Sequence, residues 1–143
     1  MKRRYGDRVE FVGVYVREAH PTDGWRMDSN DRAGISILQP RAKAERDAVS
    51  SRCCTALHVT MPMVVDDMDD HVGHLYSGMP DRLYVLDRDG KVAYKSGRGP
   101  FGFKPGELDQ ALAMLLLDQP PSTAAAPEKA GATASAGQGA KKP

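Results

Sequence analysis

Residues 82–95, RLYVLDRDGKVAYK, restrict this chain more than any other segment. Two runs rich in β-branched and aromatic residues flank a turn containing Asp89-Gly90, a pair suited to the positive φ angles of tight hairpins. Beyond it, Pro105 suits the first turn of a helix. Leu108, Ala111, Leu112, Leu115 and Leu116 then recur at i, i+3, i+4, i+7 and i+8, the stripe of a helix with one buried face. The folded part therefore closes with a hairpin and an amphipathic helix.

Upstream, strands and helices alternate. MKRRYGD reads as the end of a helix, closed by Gly6. VEFVGVYV, Val9 to Val16, is almost continuously apolar, as expected for a strand covered on both faces. A long polar connection runs from Glu18 to Pro40. From Arg41 to about Leu57, the residues Ala42, Val49, Cys53, Ala56 and Leu57 share one helical face. PMVVDD reads as a short buried strand, and DDHVGHLYSG as a short helix stopped by Gly78. This order predicts an α/β fold of the thioredoxin-like type, a central sheet flanked by helices, whose hairpin is entered through a proline, here Pro80.

The remaining composition narrows the class. Twenty basic against 19 acidic residues give a formal charge of +1, which excludes the strong field that draws a protein to nucleic acid or anionic membrane. No segment has the length of a membrane span, and MKRR does not lead into an apolar stretch as a signal peptide would. Cys53 and Cys54 alone make no disulfide framework, so a cytoplasmic setting is expected. Residues 118–143, rich in Ala, Pro and Gly, lack the apolar surface to offset ordering entropy. They are expected to form a disordered tail behind a single domain of residues 1–117.

EAHPTDGW after an apolar strand, PMVVDDMDD, MPDRLYVLDRDGKVAYK and GRGPFGFKPGEL together resemble the iodothyronine deiodinase family, a branch of the thioredoxin-like superfamily. The resemblance runs in order through residues 5–117. EAHPTDGW is its most specific part, whereas PDRLYVLDRDGK fits many thioredoxin-like proteins. It implies reductive removal of iodine from an aromatic ring. That chemistry uses a low-pKa thiolate or selenolate nucleophile, an imidazole to move a proton near neutrality, and a slot for an apolar ring with a charged tail. It implies no cofactor beyond a thiol reductant as co-substrate. The implied partners are a small aromatic substrate and a thiol or thioredoxin-type donor, with a homodimer as the assembly to test.

Carried over by position, His20 matches the histidine that contacts substrate and relays protons, and Glu18 and Tyr15 match its neighbours. Arg98, in GRGP, matches a basic residue suited to a carboxylate or phenolate, and Trp25 would wall the slot. Pro40 stands where the family has a second histidine, and Met61 where vertebrate members have an auxiliary cysteine. The nucleophile is expected one helix upstream of Val9. The chain as given is therefore expected to lack the first strand and most of the first helix, together with the nucleophile itself.

Each residue also has a plainer reading. His20 could be a loop histidine before a turn proline, Glu18 a strand-end acid, and Tyr15 and Trp25 packing residues with a polar tip. Arg98 could be one exposed arginine among many. Adjacent cysteines on a helix diverge by about 100°, which favours packing over a redox pair. Asp66, Asp67, Asp69, Asp70, His71 and His74 match no standard metal spacing, and acids at a helix start follow from the macrodipole. No metal is expected. A general thiol reductase or peroxidase and a non-catalytic binding module remain as alternative functions.

Overall fold

The computed structural model describes residues 1–118. In chain order these form α1 (Lys2–Tyr5), β1 (Gly13–Tyr15), α2 (Asp28–Arg32), α3 (Lys43–Ala56), β2 (Met63–Val65), α4 (His71–Leu75), β3 (Tyr84–Leu86), β4 (Val92–Lys95), α5 (Gly99–Gly102) and α6 (Pro105–Asp118). The order matches the sequence expectation, with the short helices α2 and α5 added. Residues 119–143, most of the expected tail, lie outside the described residues.

The strands make two separate ladders. β1 pairs with β2 in parallel, in the register Gly13↔Met63, Val14↔Val64, Tyr15↔Val65. β3 pairs with β4 antiparallel, with an irregularity at Val85/Leu86. A single central sheet was expected; β1 and β3 are not paired with each other. β1 is also shorter than the predicted Val9–Val16 strand. Its lead-in residues Val9 and Phe11 instead pack on the core beside β3 and α6. Nor are both faces of β1 covered: the ladder partners Val14 and Val64 are exposed at 44% and 51%.

The buried apolar core is Tyr5, Val85 and Leu112, surrounded by Val9, Phe11, Tyr94, Leu108, Leu115 and Leu116. The predicted leucine stripe of α6 thus meets the hairpin as its period requires. Three contacts fasten the N-terminus to α6: Arg4 pairs with Asp109 at 2.9 Å, the Tyr5 hydroxyl reaches the Asp109 carbonyl, and Arg8 donates to the Leu116 carbonyl. The hairpin turn follows the expected chemistry. Gly90 takes φ +78°, and the Asp87 carboxylate accepts the Asp89 and Lys91 N–H groups. Pro80 leads into the hairpin through a cis peptide bond.

Helix α3 departs from its predicted face. Ala42, Ala56 and Leu57 are exposed, and the fully buried positions are Arg46 and Ser50. Of the predicted face only Val49 and Cys53 are half-buried, and the periodicity missed that the buried centre of the helix is polar. At α4, the left-handed residue beyond the helix is Ser77 (φ +48°) rather than Gly78, and the Gly78 N–H closes back to the Gly73 carbonyl at 2.8 Å.

Candidate functional site

The segment after β1 turns sharply because Thr22 and Asp23 cinch it. Both the Thr22 N–H and its hydroxyl donate to the Ile37 carbonyl, and the Asp23 carboxylate accepts the Gln39 N–H at 2.9 Å. A local turn, Gly24 N–H to Pro21 carbonyl, closes the tip. Thr22 and Asp23 therefore hold the loop's two ends together. Sequence reasoning had not given them a role.

Within this frame the predicted residues form two pairs. The Tyr15 hydroxyl, at the end of β1, donates to Glu18 Oε1. Burial, then the Glu18 carboxylate that the phenol binds and faces, raises Tyr15 far above its ordinary value of 10.0. Tyr15 consequently stays a hydrogen-bond donor throughout the neutral range. Half-buried His20 sets Nδ1 3.1 Å from the Trp25 carbonyl, with the Trp25 ring edge-on at 4.6 Å between centroids. A carbonyl can only accept, so Nδ1 carries the proton and Nε2 is the nitrogen left to exchange one. The Trp25 ring itself is 72% exposed.

Arg98 stands apart. It is exposed at the start of α5, within a segment that folds tightly back: a Cβ on Gly102 would lie 2.1 Å from the Gly97 carbonyl carbon. Gly99, at φ +68°, approaches the Pro80 ring. The glycines of GRGPFG thus serve chain reversal, and Phe101 within this segment is almost wholly exposed.

A polar centre that sequence reasoning missed lies behind Glu18. Arg46, 2% exposed, donates from Nη1 to the Asp66 and Asp67 carbonyls and stands 2.8 Å from Asp70 Oδ1. Arg17 faces the other oxygen of Asp70 at 3.7 Å. Buried Asp66 accepts the N–H groups of Asp67, Val72 and Gly73 at 2.9, 3.0 and 2.7 Å. Burial alone would raise its carboxyl, but those three amides and the Arg46 charge hold it below its ordinary value. The signal was present: Arg46 interrupts the line Ala42, Val49, Cys53 on α3, where a solvated arginine has no place. Of the acids in DDMDDHVGH, Asp66 and Asp69 accept backbone amides and Asp70 faces these arginines.

Arg17, Glu18, Gln39, Arg46 and Asp70 open onto a cleft of about 370 Å³, with the thioethers of Met68 and Met79 among its apolar surfaces. Glu18 is the one predicted site residue on its wall; His20, Trp25 and Arg98 are not. Pro40 also lines it. Cys53 is half-buried on α3. Burial first, then Cys54 and Glu18, raises its thiol above the ordinary value, which opposes a nucleophilic role.

Helix-backed strands, a proline-led hairpin and a closing amphipathic helix define the thioredoxin-like class of α/β proteins. Within it, residues 2–115 match the family described as iodothyronine deiodinase. A type I iodothyronine deiodinase from Xenopus laevis is 33% identical over 104 residues, covering 73% of this chain and 39% of that protein. Thyroxine 5-deiodinases from Sparus aurata and Gallus gallus are 37% and 38% identical over 108 and 103 residues, covering 73% and 71% of this chain and 38% of each relative. The chain belongs to the iodothyronine deiodinase family. It spans well under half the length of these relatives. Among the described residues, no helix is long and apolar enough to cross a membrane.

Proposed function

We propose that this chain carries the substrate-facing part of a reductive deiodinase acting on iodinated aromatic, iodothyronine-type compounds. The carrying observation is His20, whose Nδ1 is fixed by the Trp25 carbonyl so that Nε2 alone exchanges protons, two residues beyond the Tyr15–Glu18 pair. A thiolate or selenolate from outside residues 1–143 attacks the iodine of the carbon–iodine bond. The bonding electrons return to the ring carbon, which takes a proton from His20. The resulting sulfenyl or selenenyl iodide is reduced by two thiols, giving the regenerated thiol or selenol, iodide, a proton and a disulfide.

Cys53 is a poor candidate for the attacking atom because burial disfavours its thiolate. In this reading Trp25 walls the ring, Arg98 meets a carboxylate or phenolate, and Glu18 and Tyr15 set the polarity behind the histidine. The reductant is a cytoplasmic thiol or thioredoxin-type donor, and no resident cofactor takes part. The test is iodide release from an iodinated phenol, with thiol, by the protein isolated from its own cells. Turnover of peroxide or of insulin disulfides without iodide release would replace this reading with a general thiol reductase. Binding without any turnover would replace it with a non-catalytic module.

A further inference from the structure

The lock on the His20 tautomer is made of backbone, and it closes around a residue that has no side chain. His20 Nδ1 meets the Trp25 carbonyl at 3.1 Å, and inside that closure the Gly24 N–H returns to the Pro21 carbonyl at 3.1 Å. The two bonds are nested, so the Trp25 carbonyl keeps its direction only while residue 24 stays tight against residue 21. Torsion angles do not demand glycine here. Gly24 lies outside the left-handed region that Gly34, Gly90 and Gly99 occupy, so backbone strain would not exclude a side chain. Space does. A Cβ would stand 2.9 Å from Pro21 Cγ, against about 3.5–4.0 Å for carbons in favourable contact.

The two sides of that collision are unequally held. Pro21 is buried, and Thr22 beside it is fastened to the Ile37 carbonyl through both its N–H and its hydroxyl. Asp23 is tied in turn to the Gln39 N–H at 2.9 Å. Gly24 and Trp25 are exposed. An added methyl group therefore displaces residues 24 and 25 rather than Pro21, and it draws the Trp25 carbonyl off Nδ1.

We infer that Gly24 is a positioning residue for His20: its missing side chain lets the turn close far enough for the Trp25 carbonyl to keep the proton on Nδ1. Released from that carbonyl, a neutral imidazole samples both tautomers, and Nε2 is blocked by a proton for part of the time. The inference rests on the deiodinase reading for the use made of Nε2, whereas the placement itself needs no reaction.

Long-range ¹H–¹⁵N correlation NMR of the 143-residue chain, with the imidazoles neutral, reads the tautomer directly; His58, His71 and His74 serve as internal references. The parent is expected to show His20 as a single tautomer protonated on Nδ1. Gly24→Ala should bring the two His20 nitrogen shifts toward each other, with the reference histidines and the urea midpoint unchanged. Pro21→Ala combined with Gly24→Ala removes the ring that the methyl group meets, and should restore the single tautomer. Trp25→Ala keeps the carbonyl and should retain it. The inference is overturned by a parent His20 with no preferred tautomer, by a Gly24→Ala spectrum identical to the parent's, or by a double variant that is not restored. Loss of the tautomer in Trp25→Ala, or unfolding of Gly24→Ala, would overturn it equally, because the effect is confined to the backbone of residues 24 and 25. Iodide release is measured separately on the form of the protein that performs it, where Gly24→Ala should lower kcat about 10- to 100-fold with KM little changed. The expected tautomer changes in a protein that releases no iodide would remove the deiodinase reading and leave the role of Gly24 standing. Iodide release at the parental rate by Gly24→Ala would remove that role and leave the reading.

Discussion

Asp66 and Asp70 exchange roles at the head of α4: the residue four positions upstream caps the helix, and the residue at the N-cap turns to Arg46. The exchange ties β2, α3 and α4 together through charged groups that are almost fully withdrawn from water.

Asp66→Asn is expected to lower stability by about 2 kcal/mol at neutral pH, the worth of hydrogen bonds to a charged acceptor. Its carboxyl is depressed in the folded state, so its contribution is complete above the ordinary value of 3.8 and fades as pH falls through the lower folded value. Denaturant unfolding at neutral and acid pH should therefore show the gap between Asp66→Asn and the parent narrowing in acid. A gap that widened in acid would contradict the assignment.

Arg46→Met keeps most of the side-chain volume and deletes the charge. It leaves Asp70 facing only Arg17 and strips a donor from the Asp66 and Asp67 carbonyls. A loss of about 3–5 kcal/mol is expected, as when one member of a buried ion pair is removed. Urea midpoints measure it. Arg46→Met combined with Asp70→Asn should recover part of the loss, and strict additivity would argue against direct coupling.

His20→Gln in a form that releases iodide should reduce the chemical step by about 10²–10⁴-fold while substrate affinity changes little. Trp25→Ala retains the backbone carbonyl that orients Nδ1, so its effect should fall mainly on KM. If the two substitutions gave the same pattern of kcat and KM, the division between proton transfer and ring packing would be wrong.

Cys53 should react with iodoacetamide more slowly than a free cysteine at neutral pH, because burial disfavours its thiolate. Mass spectrometry of peptides after timed labelling reports it. Rapid labelling of Cys53 would restore it as a candidate resolving thiol.

The elements were legible wherever a period was long and unbroken. Five apolar positions on α6 and the Asp89-Gly90 turn fixed the last third of the described residues, and both lie where expected. β1 was overextended because Val9 and Phe11 are apolar for a different reason: they pack beneath α6 without joining a ladder. On α3, periodicity counts apolar side chains, so it could not register that Arg46 and Ser50 hold the buried centre. At the candidate site, Tyr15, Glu18, His20 and Trp25 are close in sequence, so their pairing with one another is local. The Arg46–Asp70 pair joins residues from two helices, and only the fold brings them within 2.8 Å.

The cinch at Thr22–Ile37 and Asp23–Gln39 carries a consequence for how such a chain can change over generations. Residues 24–36 hang from a closed neck, so added length there alters neither the neck nor the cleft behind it. Closure entropy grows only with the logarithm of loop length, and insertions would be nearly free of folding cost. New side chains could thus be tried above His20 while Tyr15, Glu18 and Asp70 kept their positions. A descendant could acquire a different ligand through this loop alone.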